Sequence, residues 1–418
     1  MSAATNPGFP QQPRPTLKPS LGTRDIDAYG SAESIGRHFS IVFGGPVYDF
    51  LLRRGLVRLG LPNIARRIAL LIAITWLTLL LLSLKDGLAW GSQVRIPFLY
   101  DFSMYGRFLL GLPLLLLAEM VIDPSIRLAV AEFVEARLVR EQDLTTFDDV
   151  LGQMQRLRDS WIPEVILLVL AFFPTFLFQH EWMSGAASSW HTTSHGFNAA
   201  TWWYAIVCTP LLRFIIYRWT FRYFIWTLLL WKVSRLNLDL MPTHPDHAAG
   251  LNFLCLTQKR FGILFCALGC LFAGRVANGM VFESAPISSF KFLVVGFIAL
   301  SVIVGLIPLL TLVPKLSKVR RAGLIDYGRL AHSYAALFDR KWVHAVQNPS
   351  ESVLGTGDIQ SLADMGNSFA FVDAMTIAPV TKRLMLQLAG QAALPLVPVI
   401  ILGTPLPELV HAIVKMLA

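Results

Sequence analysis

Three ionisable side chains stand out inside stretches that are otherwise apolar enough to cross a membrane: Glu119, Arg213 and Arg275. A charge in hydrocarbon costs roughly 2.5–3.5 kcal/mol on insertion scales, so each demands a partner, a water path or a purpose. Counted along their apolar runs, Arg213 lies about 18 Å and Glu119 about 16 Å from the same face. The matched depths predict that Glu119 and Arg213 pair inside the bundle, where the pair either fixes helix register or lines an ion or substrate path. Glu164, near the opposite face, is the expected partner of Arg218. Arg218 and Arg222 share a helical face and read as interfacial cations whose long stems snorkel toward headgroups. Arg275 sits among Gly274, Ala277 and Gly279, small residues that let a helix or a ligand come close. It faces either a vestibule or a structural acid such as Glu283.

Histidines supply the other candidate chemistry. His244, Asp246 and His247 fall within Pro242-Thr-His-Pro-Asp-His. They read either as a tight turn in which Asp246 or Thr243 caps the next helix, or as a metal or proton site. His191 and His195 have the i,i+4 spacing that presents two imidazoles to zinc on a helix, but their Ser, Thr and Gly neighbours favour a solvated loop with His180 and Glu181. Cys266 and Cys270 share a helical face without an evident third ligand, so all four cysteines read as buried thiols. No catalytic set, resident metal or cofactor is assigned, and no nucleotide-binding glycine loop or nucleophile elbow occurs.

The elements that must position these residues are membrane helices. Of 418 residues, 54% are hydrophobic and 15% charged, against roughly 25% charged in a soluble domain. The formal charge of +9 is carried by Lys and Arg flanking apolar runs, which points to membrane lipid as the partner and not to nucleic acid. An apolar layer of ~30 Å needs ~20 helical residues. Runs near 68–84, 108–122, 161–179, 201–222, 261–282 and 292–313 meet or approach that length, and 384–402, with Pro395 and Pro398, is a seventh span or a re-entrant pair of half-helices. The expected fold is all-α, a polytopic bundle of six or seven spans. Residues 1–35 read as a disordered tail, 36–314 as the bundle, 315–380 as a cytoplasmic helical region and 403–418 as a short terminal helix. Val47–Leu59, with Arg53, Arg54 and Arg58, suits a helix lying on an anionic surface. Residues 180–200 contain neither Lys nor Arg, the mark of an outer loop, and alternate counting then places the N-terminus in the cytoplasm.

Met241-Pro-Thr-His-Pro-Asp-His-Ala-Ala-Gly-Leu-Asn-Phe-Leu, with Asp358-Ile-Gln-Ser-Leu-Ala-Asp-Met-Gly-Asn-Ser-Phe further on, resembles a family of uncharacterised bacterial inner-membrane proteins. The resemblance covers the C-terminal half and implies a bacterial inner-membrane location, with no catalytic residue to carry over. His247 departs from the family's pattern, where Lys, Arg or Gly is expected. Intramembrane charges and proline-broken helices point to a channel, a transporter or a transport-associated subunit. The competing readings are a scaffold whose cytoplasmic helices bind protein partners, as a monomer or homo-oligomer, and a membrane enzyme using His244, Asp246 and His247.

Overall fold

The computed structural model describes residues 39–53, 64–177, 189–191, 198–344 and 357–403. The expected N-terminal tail and C-terminal helix, as well as His180, Glu181 and His195, lie outside the described residues. Helices dominate: α1 Pro46–Arg53, α2 Ile64–Lys85, α3 Phe102–Glu135, α4 Leu144–Asp159, α5 Trp161–Leu177, α6 Ala199–Val233, α7 Phe253–Phe282, α8 Ile287–Leu310, α9 Val313–Phe338, α10 Gly357–Ala374 and α11 Lys382–Ile401. Among the described residues the β structure is confined to isolated bridges between Ile96 and Ser189 and between Val139 and Leu238.

Six helices, α2, α3, α6, α7, α8 and α11, are long and apolar enough to cross a membrane, and the fold is the expected all-α polytopic bundle. The apolar part of α5, Trp161–Pro174, is shorter. Solvent-facing Ile166, Val169 and Phe173 on α5 and Phe292, Leu293 and Val295 on α8 show where lipid replaces protein as the apolar environment. The bundle has two distinct ends. Asp101, Trp190 and Asn278 meet at one, called here the aromatic end, while Arg67, Glu119 and Arg222 meet toward the other, the basic end.

Two expected boundaries move. The second span begins at Phe102 and continues without a break through Asp123-Pro124 to Glu135. The terminal segment is one helix with a short 3₁₀ turn at Leu394–Leu396, where Pro395 cannot donate to the ladder. It runs parallel to α7, since Gly262 faces Gln391 and Gly269 faces Ala392 and Pro395. Lys382–Ile401 is thereby long and apolar enough to cross a membrane.

Three spans carry a π-helical stretch, at Ala73–Leu77, Tyr105–Gly111 and Tyr204–Cys208, and the three lie against one another. Such bulges free backbone groups that neighbours must satisfy. Trp203 donates its indole N–H to the Ile74 carbonyl at 2.8 Å, and Thr78 Oγ1 donates to Ala73 O at 2.9 Å. In the core, Trp219 donates to Leu115 O at 2.8 Å, tying α6 to α3. Gln258 on α7 donates to Tyr223 on α6 at 3.0 Å and to the Gly305 carbonyl on α8 at 2.5 Å. Every buried polar group of this set is thereby used, as an apolar interior requires.

Helix α7 packs on α3 where glycines let backbones touch. A Cβ on Gly274 would stand 2.7 Å from the Phe102 carbonyl, and one on Gly106 would collide with the Cys270 carbonyl. Gly274→Val is expected to destabilise the bundle by about 1–3 kcal/mol through overpacking. In thermal unfolding in maltoside micelles it should unfold well below Gly296→Ala, a position with open space around it. Equal midpoints for the two variants would remove the close-packing account.

Candidate functional site

Toward the basic end, α2, α3 and α6 each bring charge to one place. Glu119 on α3 accepts from Arg67 on α2 at 2.7 Å through Oε2 and from Arg222 on α6 at 3.0 Å through Oε1. Arg222 is buried and the other two are largely so, with side-chain exposures of 17, 12 and 7% for Arg67, Glu119 and Arg222. The Arg222 guanidinium also lies 5.0 Å from the Trp219 ring, a cation–π contact. Arg218, one turn earlier, stands 3.7 Å from Glu164 on α5. Among the described residues no acceptor lies within hydrogen-bonding distance of Arg218.

Both oxygens of Glu119 are thus taken by Arg67 and Arg222, in place of the expected Arg213, whose guanidinium contacts the Ala171 carbonyl at 3.5 Å. The correction has a geometric cause. The register of the two spans is set where Trp219 on α6 meets the Leu115 carbonyl on α3, which brings Arg222 level with Glu119. Arg213, nine residues earlier on α6, stands about 14 Å from Arg222 along the helix and meets Ala171 on α5 instead. Arg222 is therefore a buried partner and not an interfacial cation. Arg218 meets Glu164 as its spacing predicts, and Arg275 meets Glu283 at 3.1 Å, both ends of that pair being more than half exposed.

The chain from Phe39 to Gly45 closes this cluster. It is largely buried and irregular, and its backbone is held by side chains from elsewhere. Arg222 donates to the Val42 carbonyl, Arg158 to the Ser40 carbonyl, and the Val47 amide donates to Glu164 Oε2 at 2.9 Å. Ser40 Oγ donates at 2.5 Å to Asp123, a fully buried carboxylate that also accepts from Arg127 four residues on, at 2.7 Å. Gly44 and Gly45 have φ of 141° and 91°, and a side chain at Gly44 would overlap the Arg158 guanidinium. Glycine is needed there for both conformation and close approach.

Polar groups also gather at the aromatic end. Asp101 accepts from the Trp190 indole at 3.0 Å and from Asn278 at 2.7 Å, while Arg107 bonds the Tyr204 hydroxyl. His191 stacks on Tyr204. Burial holds the His191 pKa below its ordinary value; Asp101 opposes that shift and Arg107 adds to it.

The His-Pro-Asp-His turn is structural in its contacts. Asp246 Oδ1 accepts the Ala248 amide at 2.8 Å and the Gly250 amide at 3.1 Å, and Oδ2 accepts the Asn252 amide at 3.0 Å. His244 Nδ1 lies 2.8 Å from Asp246. His247 takes φ of 55°, stacks on Phe371, and its carbonyl receives both the amide and the hydroxyl of Thr376. The turn therefore fastens the α9–α10 hairpin to the bundle, with Pro242 against Gly323. No group of three or more potential metal ligands occurs among the described residues.

Among the described residues, two cavities beside these helices are large enough to hold a solute. One, of about 160 Å³, is lined by Arg67, Glu119, Arg218 and Arg222 together with apolar Leu71 and Phe214. The other, of about 630 Å³, lies between α3, α7 and α11 and is lined by apolar and small residues with Cys266 and Cys270. Of these two, the first is lined by charged side chains, and it is the candidate site. Sequence reasoning missed Arg67, Asp123 and Ser40 as members of this assembly. The i,i+4 spacing of Asp123 and Arg127 was the available signal for one of them, while nothing local marks Ser40. Comparison with protein-family models, with characterised proteins and with solved structures finds no match.

Two outcomes are expected. Glu119→Gln leaves two buried guanidiniums without their carboxylate, a loss of about 3–5 kcal/mol, and adding Arg222→Gln should restore part of the thermal midpoint. A single variant as stable as the wild type would show that the carboxylate does not hold the bundle. For Asp246, burial pushes the carboxyl up, but the amides of Ala248, Gly250 and Asn252 together with His244 outweigh it and leave the pKa lowered. A lowered carboxyl pKa stabilises above the unfolded value of about 3.9 and ceases to as pH falls through the folded value. Asp246→Asn should therefore lower the thermal midpoint at pH 6 and lose that deficit progressively below about pH 4. A deficit independent of pH would dissociate the turn's stability from the carboxylate.

Proposed function

We propose that this chain is a transport protein of a bacterial inner membrane, with its N-terminus in the cytoplasm and the Arg67, Glu119, Arg218 and Arg222 cluster beside its solute path. One observation carries this reading: the 160 Å³ cavity between apolar spans reaches four ionisable side chains. A purely structural ion pair needs no such space, and packed interiors seldom leave room of that size. The absence of Lys and Arg from residues 180–200 and the arginines at the opposite end supply the orientation.

A scaffold role is the second reading, favoured by Ile325, Leu330, Leu337 and Ile359, which are exposed on the α9–α10 hairpin. The two readings part in a reconstituted system. Protein in planar bilayers should carry current or counterflow of small ions, reduced tenfold or more in Glu119→Gln, provided that variant is still folded. Wild-type bilayers indistinguishable from protein-free ones across sodium, potassium, chloride and acetate gradients would overturn the transport reading and leave the scaffold.

A further inference from the structure

We propose that the 160 Å³ cavity binds a single oxyanion group carrying one negative charge, with Arg218 as its principal ligand. This rests on the same site as the transport reading and names the chemistry of its occupant. The first observation is charge balance. Among the described residues around the cavity, three guanidiniums, Arg67, Arg218 and Arg222, face two carboxylates, Glu119 and Glu164, leaving one positive charge in excess within an apolar bundle. The neighbouring Asp123 and Arg127, like Arg158 and Asp159, neutralise each other and do not alter that excess. An uncompensated charge in such surroundings is costly, and a bound anion removes the cost.

The second observation is the unequal use of the three arginines. Arg67 and Arg222 each spend donors on Glu119, and Arg222 spends another on Val42. Arg218 has only 14% of its side chain exposed, makes no hydrogen bond among the described residues, and stands 3.7 Å from its nearest carboxylate. Glu164 cannot close that gap freely, because its other oxygen is fixed by the Val47 amide. The guanidinium lines the cavity, 5.9 Å from the Phe214 ring centre, and its planar fork of unspent donors matches an oxyanion with two oxygens in its plane.

Size and lining narrow the class. A cavity of 160 Å³ is close to one that holds benzene, about 150 Å³. Leu70, Leu71, Leu211, Phe214 and Ile215 supply apolar walls beside the guanidiniums. The ligand is therefore a small oxyanion with room for a short apolar portion, either a free carboxylate or the phosphodiester of an anionic lipid whose chains remain in the bilayer. Leu70, 40% exposed, marks the side from which a lipid could enter.

Full-length protein in maltoside micelles, titrated calorimetrically with sodium acetate and separately with phosphatidylglycerol, tests the assignment. At least one probe is expected to bind, with affinity falling tenfold or more in Arg218→Gln and by less in Arg218→Lys, which keeps the charge and loses the fork. Binding of acetate alone identifies a free anion, and binding of phosphatidylglycerol alone identifies a headgroup. Leu70→Trp, which leaves every arginine in place and narrows the mouth, should weaken binding too and serves if Arg218→Gln does not fold. No heat from either probe with folded wild type, or equal affinity in the Arg218 and Leu70 variants, overturns the proposal. Arg218-dependent binding in a protein that passes no current keeps the anion site and discards transport. Current insensitive to Arg218→Lys and Leu70→Trp, with no binding of either probe, does the reverse.

Discussion

A carboxylate placed in an apolar bundle cannot be left alone, and the way Glu119 is satisfied sets the arrangement of three spans. Its two oxygens reach in different directions, to Arg67 on α2 and to Arg222 on α6. Apolar packing between lipid-facing helices is a weak guide to register, because lipid tails compete for the same surfaces. A charged hydrogen bond is not interchangeable in this way. Sliding α6 by one turn past α3, about 5.4 Å, would strand both Arg222 and one oxygen of Glu119. The Trp219 bond to the Leu115 carbonyl lies one turn from the ion pair on each helix and enforces the same register.

The N-terminal residues 39–47 follow from that arrangement. An irregular backbone has amides and carbonyls that must be paired when buried, and the cluster supplies the partners: Arg222 and Arg158 for carbonyls, Asp123 and Glu164 for amides. The ions in turn are screened from solvent by Phe39, Ile41 and Val42, all nearly inaccessible. Segment and cluster are therefore mutually dependent. Irregular backbone at membrane depth is tolerated where protein, not lipid, surrounds it, and here it is the charged side chains that do so.

Much of this was legible in the sequence, and the limits are physical. Long apolar runs with basic flanks announce spans whatever packs against them, so the all-α bundle follows directly. Glu119 stands out because a Glu within Leu-rich sequence has few explanations, and the Arg218–Glu164 and Arg275–Glu283 pairs were reachable from depth and proximity. The partners of Glu119 were not, because α3 and α6 do not begin at one level: Trp219 packs on Leu115, and that register, which no local sequence feature encodes, aligns Arg222 and not Arg213 with Glu119. Ser40 lay beyond any local argument: its role depends on Asp123, eighty-three residues away. The His-Pro-Asp-His turn was ambiguous for another reason, since the same carboxylate could cap backbone or hold a metal, and only the positions of three amides distinguish the two.

The cavity beside Arg218 is best understood as a consequence of this geometry. Arg67 and Arg222 converge on one carboxylate, while Glu164 is drawn toward Val47 and stays 3.7 Å from Arg218. A bundle optimised only for stability would close that distance, because a charged pair gains most at hydrogen-bonding range. Apolar residues in place of both Arg218 and Glu164 would fill the space at lower cost in such surroundings. The retained charge, the unspent donors and the unfilled volume occur together at one point in the fold. Each alone has a structural explanation, but together they describe a site whose energetics are completed by something that is not part of the chain.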